Sequence, residues 1–292
     1  MFVIKYKNFF ITLSSIFVVV AIAAVIRFGL PLGIDFKGGS QIQAAYTTTR
    51  PDSATIKASL TTLPDALVQP TGDKGVIIKA HTLTETEKNA AVATLGTDIR
   101  VENFTTIGPS VGAELKRKAV VSIVLVLVAI ICFVAYAFRK VSKPVSSWKY
   151  GAAVIIALIH DIAIPLGAFA IISHFTGAEL DTLFVVALLT TLALSISDTI
   201  VVFDRIREHL GTNTKGKAFP EIVGESLAET FARSINTSLM VLVMVVTLAI
   251  VGPKSTQLFA TVLAIGMFFG TYSSIFLASP LLVLFEQYQK KK

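Results

Sequence analysis

The sequence predicts a polytopic α-helical membrane protein, with six transmembrane helices in a one-plus-five layout and a small α+β extracytoplasmic domain between helices one and two. Three observations predict it. Of 292 residues, 53% are hydrophobic and 15% charged, and mean hydropathy is positive, a balance that puts the core in a bilayer. Apolar runs recur near residues 9–30, 119–138, 152–172, 183–203, 235–251 and 259–285, most of them close to the span of about 20 residues that a membrane requires. Only one extended polar region separates them, so the chain divides into 1–30, 31–118 and 119–292.

The first run follows Lys5 and Lys7. At about 20 residues it exceeds the roughly 7–15 of a signal peptide, and no convincing small-residue cleavage site closes it, so it reads as a retained anchor. Arg27 near its far end can snorkel to headgroups.

The polar region alternates strand and helix signals. Residues 40–47 (SQIQAAYT) have strand character, and Asp52 or Ser53 can cap a helix whose apolar face uses Ile56, Leu60 and Leu63. Residues 66–69 and 75–79 are short strands on either side of a TGDK turn. Thr84 and Glu87 have capping-box spacing ahead of Ala91, Val92 and Leu95, and 100–107 reads as a last strand. The order is β-α-β-β-α-β, the ferredoxin-like arrangement of a small sheet with two helices on one face, and it needs no cofactor. The glycine-rich GIDFKGG at 33–39 matches neither a dinucleotide fingerprint nor a P-loop, so no nucleotide is expected.

In the bundle, the second run is almost entirely Val, Ile, Leu and Ala and is expected to face lipid. The third contains LIHDIAIP, with Asp161 beside His160 and four residues before Pro165, a kink position. The fourth carries LALSISDTIVVFDRIRE at 192–208. Residues 183–194 supply only about 18 Å of helix, so the span must continue to Phe203 and enclose Asp198. A carboxylate in hydrocarbon costs about 2.5–3.5 kcal/mol on insertion scales, and persists where it faces a bundle interior, finds a partner or does work. Steps of three and four place Thr191, Ser195, Asp198 and Arg205 on one face. In the fifth run Arg233 opens RSINTS, with Asn236 and Thr237 on its side. It either snorkels or pairs with Asp198. In the last run Gly266, Gly270, Ser274 and Ala278 recur every four residues, a spacing that permits close helix contact. That helix is expected at the centre.

The formal charge of +7 is distributed by loop. Arg139, Lys140, Lys143 and Lys149 follow the second helix, Arg205, Arg207, Lys215 and Lys217 the fourth, and Lys290, Lys291 and Lys292 the sixth, against only Lys254 in the alternate loops. The positive-inside rule then makes both termini cytoplasmic and the polar domain extracytoplasmic. These cations suit anionic membrane lipid, and no nucleic acid is expected. The single Cys132 excludes an intrachain disulfide and a cysteine-based metal site. No catalytic constellation is present, so the chain does not read as an enzyme.

Four motifs now stand in order: GIDFKGGSQI after the first helix, GPSVGAEL before the second, SDTIVVFDRIRE in the fourth and RSINTS in the fifth. Together with the one-plus-five layout, they resemble the SecD/SecF family of protein-export subunits, in the resistance-nodulation-division superfamily. The resemblance implies a SecD partner, the SecYEG channel, unfolded preprotein substrates, the bacterial cytoplasmic membrane and proton-driven assistance to late export. It also implies that Asp198 and Arg233 are the family's functional carboxylate and arginine. From the residues themselves, Thr191, Ser195 and Asn236 are expected to line a water path to Asp198, with Asp161 a second stop and Thr237 part of the supporting polar stripe. Gly33, Asp35, Gly38, Gly39, Gly108 and Gly112 belong to the glycine motifs, whose linkers are natural hinges. Two positions depart from the family pattern: Ser197 stands where asparagine is usual, and Lys37 where threonine or arginine is. Half a superfamily core needs a homologous half, and the polar stripe of helix four is expected at that seam. Two other classes remain. A small-molecule or lipid exporter would normally duplicate the helices in one chain, and an intramembrane aspartyl protease would use Asp161 and Asp198 as a dyad sharing a proton.

Overall fold

The computed structural model describes residues 2–139, 145–212 and 217–290. Lys140, Lys143, Lys215, Lys291 and Lys292 of the orientation argument lie outside the described residues. In chain order the elements are α1 (Phe2–Lys5), α2 (Lys7–Phe28), α3 (Ile34–Lys37), β1 (Gly39–Tyr46), α4 (Ser53–Ser59), β2 (Leu67–Thr71), β3 (Gly75–Ala80), α5 (Glu85–Thr94), β4 (Ile99–Ile107), α6 (Pro109–Ala137), α7 (Ser147–Thr176), α8 (Thr182–Thr212), α9 (Phe219–Val251) and α10 (Lys254–Ser273). A π-helical turn at Ser274–Ala278 then leads into α11 (Ser279–Lys290). Among the described residues six helices are long and apolar enough to cross a membrane: α2, α6, α7, α8, α9 and the composite running from α10 to α11.

The chain folds as two compact units. One comprises 1–29, 123–174 and 183–292, and the other 30–122 with 175–182. The short connection between α7 and α8 therefore belongs with the polar domain, although sequence alone assigned it to the bundle.

In the polar unit the sheet order is β2-β3-β1-β4, antiparallel throughout. Alternation on β1 buries Ile42, Ala44 and Tyr46, and Ile42 lies opposite Ile78 of β3. Against them pack Ile56, Leu60 and Leu63, although α4 stops at Ser59 and the last two residues follow it. Asp52 caps α4 through Ala54 N at 3.2 Å. Thr84 and Glu87 form the expected capping box, with Thr84 N donating to Glu87 Oε2 at 2.8 Å and Glu87 N to Thr84 Oγ1 at 3.3 Å. The bond from Thr84 N, with a second that Thr84 Oγ1 donates to Glu87 Oε2 at 2.9 Å, holds the Glu87 carboxyl below the usual carboxylate range.

The glycine linkers have a reason beyond hinging. Gly38 and Gly39 take φ of 79° and 139°, conformations that side chains resist. A Cβ on Gly38 would come within 2.8 Å of Pro109 Cα, and one on Gly112 within 2.7 Å of Gly38 N. The two linkers thus cross backbone to backbone, whereas a Cβ at Gly108 would meet nothing within 4 Å.

In the bundle, α6 leaves Val124, Leu125, Val128 and Phe133 exposed on this chain. Phe138 stacks on Tyr150 at 5.3 Å, with Phe203 edge-on to both. One boundary differs from expectation. Helix α9 starts at Phe219, because Ile222, Val223 and Leu227 bury an amphipathic segment too polar to register as an apolar run. Arg233 consequently lies about four turns inside α9 instead of opening it.

Candidate functional site

The site is built on the contact between α8 and the last span. Thr191, Ser195 and Thr199 succeed one another every four residues on α8, and Gly266, Gly270 and Ser274 do the same opposite them. A Cβ at Gly266 would overlap Thr191, one at Gly270 would lie 2.9 Å from Ser195 Cβ, and Thr199 Oγ1 meets Ser274 Oγ at 2.8 Å. Small residues at a four-residue repeat let two helices meet at backbone distance, which brings their hydroxyls into hydrogen-bond range.

Behind this seam lies Asp161 of α7, fully buried. Its Oδ2 accepts from Ser195 Oγ and from Ser273 Oγ, the latter at 2.9 Å. Its Oδ1 lies 2.9 Å from His160 Nδ1. An ionised carboxylate only accepts, so with Asp161 charged all three contacts require donors, which puts a proton on His160 Nδ1. His160 is 1% exposed, its Nε2 has no hydrogen-bond partner, and its ring stacks on Tyr272 at 6.1 Å. The network continues through the π-helical turn: Ser274 Oγ donates to Ser195 O at 3.1 Å, and Ser279 Oγ to Ser274 O at 3.2 Å. A π-turn frees backbone groups from the regular ladder and is common where a helix serves a site.

Asp198 lies three residues beyond Ser195 on α8, yet it bonds elsewhere. It is half-buried, and its Oδ2 accepts from Ser238 Oγ of α9 at 3.0 Å. It opens on a small cavity lined also by Ser195, Ser197, Thr237, Ser238 and Thr271. Such a carboxylate has spare acceptor capacity and room beside it for water or a proton donor. The two acids have separate partners, so they do not form the shared-proton dyad of an aspartyl protease.

Several expected placements change. Thr191 and Ser195 are buried within this chain against the last span, so they cannot line a seam with a partner half. The stripe divides in its hydrogen bonds: Ser195 donates to Asp161 and Thr199 meets Ser274, whereas Asp198 accepts from Ser238 of α9, although Ser195 and Asp198 border one cavity. Arg233 is exposed and is in no ion pair with Asp198 among the described residues; the hydrogen bond to Asp198 from α9 comes from Ser238, five residues further on. Asn236 is exposed, and Thr237 Oγ1 donates to Arg233 O at 2.9 Å while lining the Asp198 cavity. Arg205 pairs with Glu208 and Glu229 outside the apolar part of α8. Sequence reasoning missed Ser238, Thr199, Ser273 and Tyr272. Ser238 closes the RSINTS motif, and Ser273 adjoins the small-residue repeat, so both signals were present but carried no direction.

Comparison with known proteins agrees with this architecture. Residues 87–288 match the family of the protein-export membrane protein SecD/SecF, C-terminal region, and 23–49 match the SecD/SecF GG motif. The protein translocase subunit SecF of Thermobaculum terrenum is 38% identical over 303 residues, covering 97% of this chain and 93% of the relative. The protein translocase subunit SecDF of Bacillus subtilis is 35% identical across 100% of this chain and 39% of its own length. The crystal structure of SecDF, a translocon-associated membrane protein from Thermus thermophilus, superposes with a TM-score of 0.84 at 26% identity, over 99% of this chain and 38% of that one.

Proposed function

The chain belongs to the SecD/SecF family of protein-export membrane proteins and is a multi-pass membrane subunit of Sec protein export; from that premise we propose that it couples proton movement to the translocation of preproteins through SecYEG, acting with SecD. One observation carries this reading: a half-buried carboxylate, Asp198, sits within a membrane span, holds a single hydrogen bond from the next span and borders a cavity. A proton crossing the full membrane potential releases about 2.3 kcal/mol per 100 mV. A carboxylate that loads from one side and unloads to the other converts that energy into helix movement if its two charge states favour different packings. Ionised Asp198 accepts from Ser238 and attracts Arg233; protonated, it keeps an acceptor for Ser238 but loses its pull on Arg233. Asp161 serves as the sealed second acid. The fused SecDF relatives support a SecD-like half as partner. The short-loop cations support a cytoplasmic-membrane location with both termini inside and the sheet domain outside, where it contacts unfolded substrate and moves with the helices.

The test uses proteoliposomes holding the chain with SecD and SecYEG. Asp198→Asn keeps shape and hydrogen bonding but carries no proton. It is expected to assemble normally and lose the proton-dependent part of export, with ATP-driven steps intact. Normal proton-dependent export by this variant would overturn the proposal.

A further inference from the structure

The polar unit includes Thr182, the first residue of the helix that bears Asp198, and Thr182 is held there by a side chain far away in sequence. Thr182 opens α8, and its N–H is among the four that a helix cannot satisfy itself. Asp35 Oδ2 accepts from that N–H at 2.9 Å and from Thr182 Oγ1 at 2.7 Å. Asp35 thus acts as an N-cap supplied from 147 residues away, and its charge suits the positive end of the helix dipole.

The residues leading into this turn are tied down at three further points. Leu180 pairs with the linker after α2, its N–H donating to Pro31 O at 2.7 Å while Gly33 N–H donates to Leu180 O at 2.8 Å. A Cβ at position 33 would sit 3.0 Å from Leu180 O, which suits the glycine there. Lys79 of β3 pairs with Glu179 at 2.8 Å, with side chains only 16% and 17% exposed. Gln69 of β2 donates to Gly177 O. A surface connection between helices normally moves freely; this one is bonded to two strands, a linker and a one-turn helix.

We infer that Asp35 is a positioning residue that fastens the sheet domain to the N-terminal turn of α8, so that displacement of α8 along its axis is delivered to the domain. This deepens the proposed function and rests on it for the source of the movement. Thr182 precedes Asp198 by sixteen residues, about 24 Å of continuous helix. A helix transmits axial displacement rigidly, and the bonds at its outer end must either carry the domain or break.

The test compares Asp35→Ala with Asp35→Asn in the full chain, assembled with SecD and SecYEG in proteoliposomes. Asparagine caps as well as aspartate, and alanine does not. Amide exchange at residues 180–184 is expected to rise about tenfold in Asp35→Ala, the size of a lost cap, and to stay near the parent rate in Asp35→Asn. Proton-dependent export is expected to fall several-fold in the alanine variant and to be restored by asparagine. Unchanged exchange in Asp35→Ala would overturn the cap, and faster exchange with undiminished export would overturn its role in transmission. Asp198→Asn separates the two proposals, since it should abolish proton-dependent export while leaving exchange at 180–184 unaltered. Should Asp35→Ala fail to assemble, Glu179→Lys and its reversal by Lys79→Glu provide the same comparison: the single change should loosen 177–183 and the double change should restore it. No restoration by the double change would count against the fastening.

Discussion

Asp161 and Asp198 occupy the same bundle and share α8 as a wall or a backbone, but their surroundings differ in a consistent way. Asp161 is fully buried and is met by two hydroxyls and an imidazole on three sides; Asp198 is half-buried and is met by one hydroxyl. A buried charge without water needs donors for its lone pairs, so the more deeply placed acid carries the fuller set. The difference teaches that the deeper acid is the more fully bonded one. The three contacts tie Asp161 to α8 and α10, while Asp198 keeps an unfilled side that borders a cavity, the side that the proposed proton would use.

The strongest way to break the comparison is to prise apart the seam that seals Asp161. Gly270→Leu drives a side chain into Ser195, and overpacking of this kind costs about 1–3 kcal/mol or more. Folded yield in detergent should collapse; near-parental yield would mean that the seam yields easily. Next, alanine at each acid should separate fastening from exchange. Asp161→Ala removes two interhelical hydrogen bonds, worth about 0.6 kcal/mol each on average in membranes and up to about 1.7, so thermal stability should fall clearly. Asp198→Ala should lower stability less while removing proton-dependent export. Equal losses of stability would erase the distinction. Ser238→Ala takes away the single bond at Asp198, an effect of about 0.6 kcal/mol. It should barely change stability but shift the pH profile of export; an unmoved profile would mean that Ser238 does not tune the acid.

Glu87 supplies the solvent limit of the same comparison. Its carboxyl is depressed by bonds to Thr84, so its contribution to capping α5 is present above its ordinary value of 4.5 and is lost as pH falls through the lower folded value. Amide protection at the start of α5 should therefore drop only in that acid window. Glu87→Gln keeps a capping-box residue but cannot titrate, and should flatten the dependence. Loss of protection near neutral pH would contradict the assignment.

Most of the sheet domain was legible because its signals are local. The Thr84–Glu87 box, the cap at Asp52 and the period-two burial of Ile42, Ala44 and Tyr46 each depend on residues within a few positions. The bundle was legible in its spans and in the repeat Gly266, Gly270, Ser274. It was not legible in its partners. Ser195 and Asp198 fit one broad polar stripe, and only the positions of α7, α9 and α10 decided that they bond to different partners. The start of α9 was missed for a related reason: residues 219–234 are helical because tertiary packing buries one face, not because their composition is apolar.

By itself, the sequence determined six spans, the order of the sheet domain's elements and the presence of two acids inside helices, because chain length, periodicity and the cost of burying charge are properties of short segments. Tertiary structure alone decided which acid is sealed, that Ser238 rather than Arg233 holds Asp198, and that Asp35 caps a helix that begins 147 residues later. Those pairings join groups from separate elements, and a helical periodicity states which residues share a face without stating what that face will meet.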